Sequence, residues 1–245
     1  MSWKRTLLVF ALAALAALAI ACGDDDEDVG NDSDNFATDT GAATQADATQ
    51  PAAGATDPPA ANDCPAPSGD APEPDMTKQY DAPEDQGIDP GKEYLANFKT
   101  VRGEFTIKLR PDLAPQHVNS FVFLAREGFY NGTTFHRVLE GFMAQGGDPT
   151  GSGSGGPGYN IPAEFTTEVG YTRGTLGMAR AQSPDSAGSQ FFITFGDTPS
   201  LNGQYTIFGE VTEGMEVVDC ITRRDPQALP DFEGDAIISV DITEN

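Results

Sequence analysis

Apolar positions divide the chain into three stretches: an unbroken run from Leu7 to Ala21, a long region to Gly91 where large apolar residues are sparse, and a periodic region beyond Lys92. In the last stretch, 94–100 and 104–109 alternate apolar and polar residues across Val101-Arg102-Gly103, which predicts a β-hairpin. Pro115 suits a first helical turn, Val118, Phe121, Val122 and Ala125 recur at i, i+3, i+4 and i+7, and Gly128 supplies a stop, so one helix is predicted there. Short aromatic runs follow at 133–138, 142–146, 175–179, 190–195, 205–211 and 236–242, separated by glycine-rich turns. Such spacing predicts a sheet closed into a barrel. Met215, Val218 and Ile221 share a face and add a second short helix over 215–222. No internal repeat is present, which excludes a propeller or solenoid. Thirteen of the 15 Phe residues follow Gly91, which places the hydrophobic core, and a single domain, in residues 92–245.

Lys4 and Arg5 precede the apolar run, which is too short to span a bilayer comfortably and suits the core of a signal peptide over residues 1–21. Export is therefore predicted. The run ends in Leu18-Ala19-Ile20-Ala21-Cys22, which resembles the lipobox of bacterial lipoproteins, with Ala19 where leucine is usual; Ala19-Ile20-Ala21 also fits an ordinary A-x-A cleavage site. Both cut after Ala21. One leaves Cys22 lipidated and the protein anchored to the outer face of the bacterial cell membrane; the other leaves a free thiol on a secreted soluble protein. Lipidation would leave Cys64 and Cys220 as an even pair, either bridged or with Cys220 serving only as a small buried hydrophobe.

Charge follows the same division. The formal net charge is −24, with eighteen acidic residues and one basic, Lys78, between Gly23 and Gly91, against twenty and eleven from Lys92 to the end. Residues 22–91, rich in Ala, Asp, Pro, Thr and Gly, bury too little surface to offset the entropy of ordering, and are predicted to be a disordered acidic linker. A flexible linker of that length would span roughly 45–50 Å. Asp24 to Asp28 lack the glycine and alternating spacing of a calcium loop and read as solvated spacer. The acidity argues against nucleic-acid binding.

Standard catalytic constellations are absent. His117 and His136, the only histidines, are accompanied by neither Gly-x-Ser-x-Gly nor His-Glu-x-x-His. The run Gly151 to Gly156 lacks the Lys-Ser/Thr ending of a phosphate loop and continues into Pro157, so it reads as a connection between strands. No metal or cofactor is indicated.

The stretch from Phe135-His136-Arg137 through Phe142-Met143-Ala144-Gln145-Gly146-Gly147-Asp148, followed by Gly188-Ser189-Gln190-Phe191-Phe192-Ile193, resembles the two signature stretches of cyclophilins. The likeness runs from about Tyr94 to Val240 and includes Met178 to Ala181 and the Leu201-Asn202-Gly203 segment. It implies a mainly β fold, a closed eight-stranded antiparallel barrel flanked by two α-helices. It also implies a peptidyl-prolyl cis/trans isomerase acting on proline-containing polypeptides, and the export predicted above makes exported proteins the expected clients; a monomer is expected. Position by position, Arg137 matches the catalytic arginine, Phe142, Met143, Phe192 and Leu201 the walls of the proline pocket, and Gln145 and Gln190 its polar supports. Ala179 matches a backbone contact and Gly153 the loop glycine opposite. Arg180 and Tyr205 depart from a usual asparagine and histidine, while Ser200 and Gln204 stand where many eukaryotic members have tryptophan and lysine. The competing reading is a non-catalytic proline-peptide-binding or chaperone module on the cell surface, built on the same barrel.

Overall fold

The computed structural model describes residues 63–245, so the signal-peptide segment, Cys22 and the linker to residue 62 lie outside the described residues. Eight strands form one antiparallel sheet: β1 (Tyr94–Thr100), β2 (Gly103–Leu109), β3 (Arg137–Leu139), β4 (Met143–Gly146), β5 (Thr175–Met178), β6 (Phe191–Thr194), β7 (Ile207–Glu213) and β8 (Ile237–Glu244). Their order across the sheet is β3-β4-β6-β5-β7-β2-β1-β8. The hairpin β1–β2, read from alternation, pairs from Leu95↔Lys108 to Thr100↔Gly103.

Alternation sorts the strands' side chains onto two faces. Val138, Ala144, Ile193 and Leu176 stand opposite one another across β3, β4, β6 and β5 and point into the main core. That core is aromatic. Phe98 stacks on Phe105 with ring centroids 4.7 Å apart, and Phe121 of α1 (Pro115–Arg126) lies 4.9 Å from Tyr130 and 5.5 Å from Phe208.

The helix ends as Gly128 predicts. Gly128 adopts φ +65°, its N–H bonds to Ala125 O and that of Phe129 to Leu124 O, the paired bonds by which a left-handed glycine closes a helix. Its beginning has another logic. Ala114 offers no side-chain cap, and the Glu164 carboxylate arrives instead from a distant loop, accepting from the N–H groups of Gln116 and His117 at 3.1 and 2.9 Å. The second helix, α2, is shorter than predicted and covers Met215–Asp219.

Two expectations are corrected. The sheet curls, but its end strands β3 and β8 do not pair in a ladder; single bridges, Thr134↔Ala236 and Val138↔Arg224, close the seam instead. Pro226 and Pro230 lack N–H groups and Gly234 takes φ +120°, so the segment between these bridges cannot run as a continuous strand. The second correction concerns residues 63–91, expected within the disordered linker, which lie against the domain as a strap. Cys64 is bonded to Cys220, at a Cα–Cα distance of 5.3 Å, just beyond α2. Arg102 Nη1 donates to Pro65 O at 2.9 Å, and Ser68 N–H donates to Val101 O at 2.7 Å. Asn119 of α1 grips the other end, donating to Glu84 O at 3.1 Å and accepting from Gln86 N–H at 2.7 Å.

Replacing Cys64 and Cys220 together by Ser should lower stability by about 2–5 kcal/mol, because the bridge closes a long loop that the unfolded chain would otherwise explore. Calorimetry should show that as a fall in Tm of roughly 5–15 °C. An unchanged Tm would mean that the strap is not coupled to global unfolding.

Candidate active site

On the sheet face opposite the core, the same register assembles a second row. Arg137 of β3 stands opposite Gln145 of β4, Gln145 opposite Phe192 of β6, and Phe192 opposite Gly177 of β5. Met143 lies two residues from Gln145 and shares its face. Gly177 is required there: a Cβ would fall 2.4 Å from Phe192 Cζ and 2.5 Å from the Tyr171 hydroxyl. The space that it leaves lets Phe192 stack on Tyr171 at 5.5 Å and meet Tyr205 edge-on at 5.6 Å. These rings form a second apolar cluster with Met143, Ile207, Phe142 and Leu201.

The cluster floors a cavity of about 330 Å³ lined by Arg137, Phe142, Met143, Gln145, Ala179, Arg180, Phe192, Leu201 and Tyr205. Nine of the positions carried over from the sequence therefore meet around one hollow. Gln190 and Gly153 stand behind it, in the wall of a wider polar trough of about 620 Å³ that shares Gln145, Ala179 and Arg180.

Polar groups link the two hollows. Arg137 Nη1 donates to Gln145 Oε1 at 3.4 Å and lies 3.9 Å from Met143 Sδ, with the guanidinium 6.0 Å from the Phe142 ring centre. Gln145 Nε2 donates to Gln190 Oε1 at 2.9 Å, and Gln190 Nε2 donates to the carbonyls of Gly155 and Gly153 at 2.9 and 3.1 Å. Arg180 serves the rim. Its Nε and Nη2 donate to Gln204 O at 3.1 and 3.0 Å, and its guanidinium covers Tyr205 at 4.8 Å.

Asp148, wholly buried, anchors the glycine loop. Its carboxylate accepts from Thr150 N–H at 2.7 Å, Gly153 N–H at 2.6 Å and Gly155 N–H at 3.1 Å. Burial alone would raise this carboxyl, but the Thr150 hydroxyl and the backbone N–H groups of Thr150, Gly155 and Gly153 outweigh it and hold the group below its usual value. Neither histidine joins the pocket. His117 is buried with Nδ1 2.6 Å from Glu164 Oε2, and His136 is pushed below its usual value by burial and has no protein partner on either nitrogen. Tyr171 is the contributor that no pattern in the sequence singles out, and Asp148, though it closes the first signature stretch, is given no role there. Asp148 offers one signal, an acidic residue closing Gly146-Gly147 immediately before a glycine loop whose N–H groups need an acceptor.

Because the folded state lowers the Asp148 pKa, the stabilisation that it gives is complete above the ordinary aspartate value of about 3.9 and disappears as pH falls through the depressed value. Amide exchange at Gly153 and Gly155 should therefore stay slow from neutrality down to about pH 4 and accelerate below it. Asp148→Asn should speed it already at pH 7, with a stability loss of about 1–3 kcal/mol. Slow exchange in that variant would remove Asp148 as the loop's anchor.

Residues 95–242 match the family described as cyclophilin type peptidyl-prolyl cis-trans isomerase/CLD. A Brucella suis protein named "Probable peptidyl-prolyl cis-trans isomerase" is 49% identical over 147 residues, which cover 55% of this chain and 74% of that protein. A Helicobacter pylori peptidyl-prolyl cis-trans isomerase is 45% identical over 154 residues, covering 62% of this chain and 92% of its own. Among solved structures, a Cryptosporidium parvum cyclophilin type peptidyl-prolyl cis-trans isomerase superposes with a TM-score of 0.57 at 33% identity, over 62% of this chain and 99% of that one. A crystal structure of that isomerase in the presence of the dipeptide Ala-Pro matches at 34% identity.

Proposed function

Because the chain belongs to the cyclophilin-type peptidyl-prolyl cis-trans isomerase family and is a peptidyl-prolyl isomerase, we propose that Arg137 is its catalytic residue and that it works on exported polypeptides from the outer face of the bacterial cell membrane. The observation that carries the catalytic part is the placement of the Arg137 guanidinium at the edge of the apolar hollow formed by Phe142, Met143, Phe192 and Leu201.

An X-Pro bond resists rotation because amide resonance raises a barrier of about 18–20 kcal/mol. As the bond twists, the proline nitrogen becomes pyramidal and recovers a lone pair, to which a guanidinium can donate a hydrogen bond that the planar amide accepts poorly. No covalent bond forms and no proton moves. The proline ring sits in the apolar hollow, where water is excluded and the same hydrogen bond is stronger. Gln145, itself held by Gln190, keeps the guanidinium aimed. Acceleration from about one event per minute to several hundred per second needs roughly 5–6 kcal/mol, within reach of one charged donor combined with positioning and desolvation.

Arg137→Ala should lower kcat in a prolyl-peptide isomerisation assay by about 30- to 1000-fold, the equivalent of about 2–4 kcal/mol, while circular dichroism and peptide affinity change little. Arg137→Lys should recover little of that loss, because an ammonium lacks the planar fork. Near-full turnover in folded Arg137→Ala would remove the transition-state role of Arg137, whereas a wild-type chain that binds proline peptides without turnover would favour the non-catalytic proline-peptide-binding module.

The cellular part rests on the apolar run before Cys22 and on the small residues at the cleavage site. With two or three acyl chains on Cys22 the protein is stably anchored, whereas one chain binds a membrane only marginally. Full-length protein should partition into detergent and Cys22→Ser should appear as a soluble species. Identical partitioning of both would remove the anchor and leave the secreted soluble form.

A further inference from the structure

We propose that Gln79 and Tyr80 of the strap are positioning residues of the isomerase site: they hold the 153–158 loop where its carbonyls can fix Gln190, and through it Gln145 and Arg137. The kinetic consequence rests on the isomerase reading above; the structural part stands without it.

Gly153, Gly155, Gly156 and Gly158 leave this loop with little conformational preference of its own, so its shape has to be imposed from outside. Asp148 imposes it from within by taking the N–H groups of Gly153 and Gly155. The strap imposes it from the other side. Gln79 Nε2 donates to Gly156 O at 3.0 Å, and Tyr80 N–H donates to Pro157 O at 2.8 Å. Contact there is close enough to need glycine: at Gly158, with φ +96°, a Cβ would lie 2.7 Å from Tyr80 O.

The loop's polar groups are thus divided three ways. N–H groups of Gly153 and Gly155 face Asp148, carbonyls of Gly156 and Pro157 face the strap, and carbonyls of Gly153 and Gly155 are left for Gln190. The strap is itself fixed on both sides of these contacts. The Tyr80 ring packs edge-on against Phe123 of α1 at 4.9 Å, the Cys64–Cys220 bond secures the chain before it, and Asn119 secures Glu84 and Gln86 after it. A shift of the strap would therefore be transmitted as a shift of two carbonyls, and then along two amide side chains to the guanidinium. Lys78 provides an internal control, because its Nζ donates to Glu127 O at 2.6 Å, at the end of α1 and away from the loop.

The test uses the full chain with Gln79→Ala, with Gln79→Ala and Tyr80→Pro combined, and with Lys78→Ala. Proline at 80 removes the donor to Pro157 O. Nuclear magnetic resonance should show the Gln190 side-chain amide shifted, and the Gly153 and Gly155 amides exchanging about tenfold faster, in the double variant, with smaller changes in Gln79→Ala. Turnover should fall about fivefold or more in kcat with KM within about twofold, and Lys78→Ala should stay within about 1.5-fold of wild type. Unchanged loop and Gln190 signals overturn the proposal whatever the turnover. Shifted signals with kcat within about 1.5-fold of wild type overturn its catalytic consequence, and an equal loss in Lys78→Ala reduces the strap to a general anchor. A wild-type chain without turnover sinks the isomerase reading instead, and the resonance data still decide the positioning. Should the double variant fail to fold, Gln79→Ala is decisive alone, with about a twofold loss of kcat expected and the same signals read.

Discussion

Side chains on a strand alternate between the two faces of a sheet, and in β3, β4, β6 and β5 that alternation has to serve two interiors at once. Val138, Ala144, Ile193 and Leu176 fill the main core, while Arg137, Gln145, Phe192 and Gly177, one position away on each strand, build the pocket. A slip of one residue would drive the Arg137 guanidinium into the cluster around Phe121 and Phe191. Burying an unpaired charge there costs several kcal/mol, and the apolar row would lose its packing in the same step. The register is held by the pocket's charge as well as by the core's hydrophobicity, which is how strands of only three and four residues can specify it.

A line of aligned dipoles connects the ends of the site. Each glutamine oxygen faces Arg137's side and each glutamine NH2 faces the glycine loop, whose own N–H groups end on the Asp148 carboxylate. Cation and anion thus sit at opposite ends of a chain of neutral amides that polarise one another in the favourable sense. Glutamates at 145 or 190 would break that order, since a carboxylate accepts and cannot donate onward. That is a physical reason for two uncharged amides in the chain that runs from the Arg137 cation to the Asp148 anion.

Much of this is legible in the sequence, and the exceptions share a cause. Periodicity locates α1 and the hairpin, because Val118, Phe121, Val122 and Ala125, like the alternating residues of 94–109, face the core at the period that their own element's geometry imposes. Glu164 capping α1 and Tyr171 under Phe192 depend on residues that only the fold brings together, while the bond between Cys64 and Cys220 is the bridged one of the two alternatives that cysteine parity leaves open. The strap is the most instructive miss. Its acidic, proline-rich composition forecasts disorder because it carries few apolar side chains, yet residues 63–91 are held mainly by backbone groups such as Pro65 O, Ser68 N–H and Tyr80 N–H. Composition is blind to backbone hydrogen bonds, whose donors and acceptors every residue but proline carries in full.

The floor and the rim of the pocket are consequently built by different means. Strand ladders fix Phe192 and Met143 in the floor, and Tyr171, stacked on Phe192 from a loop, is packed with them and leaves no freedom to adjust. The rim on the side of Gln190 is a glycine loop whose carbonyls and N–H groups point in three directions within six residues, and a Cβ would collide with Asp148 at Gly155 and with Tyr80 O at Gly158. The cost is an intrinsically loose chain, and the structure offsets it with one buried carboxylate and one strap. The Arg137 guanidinium is thereby tied, through Gln145, Gln190 and the loop carbonyls, to groups outside the strand that carries it.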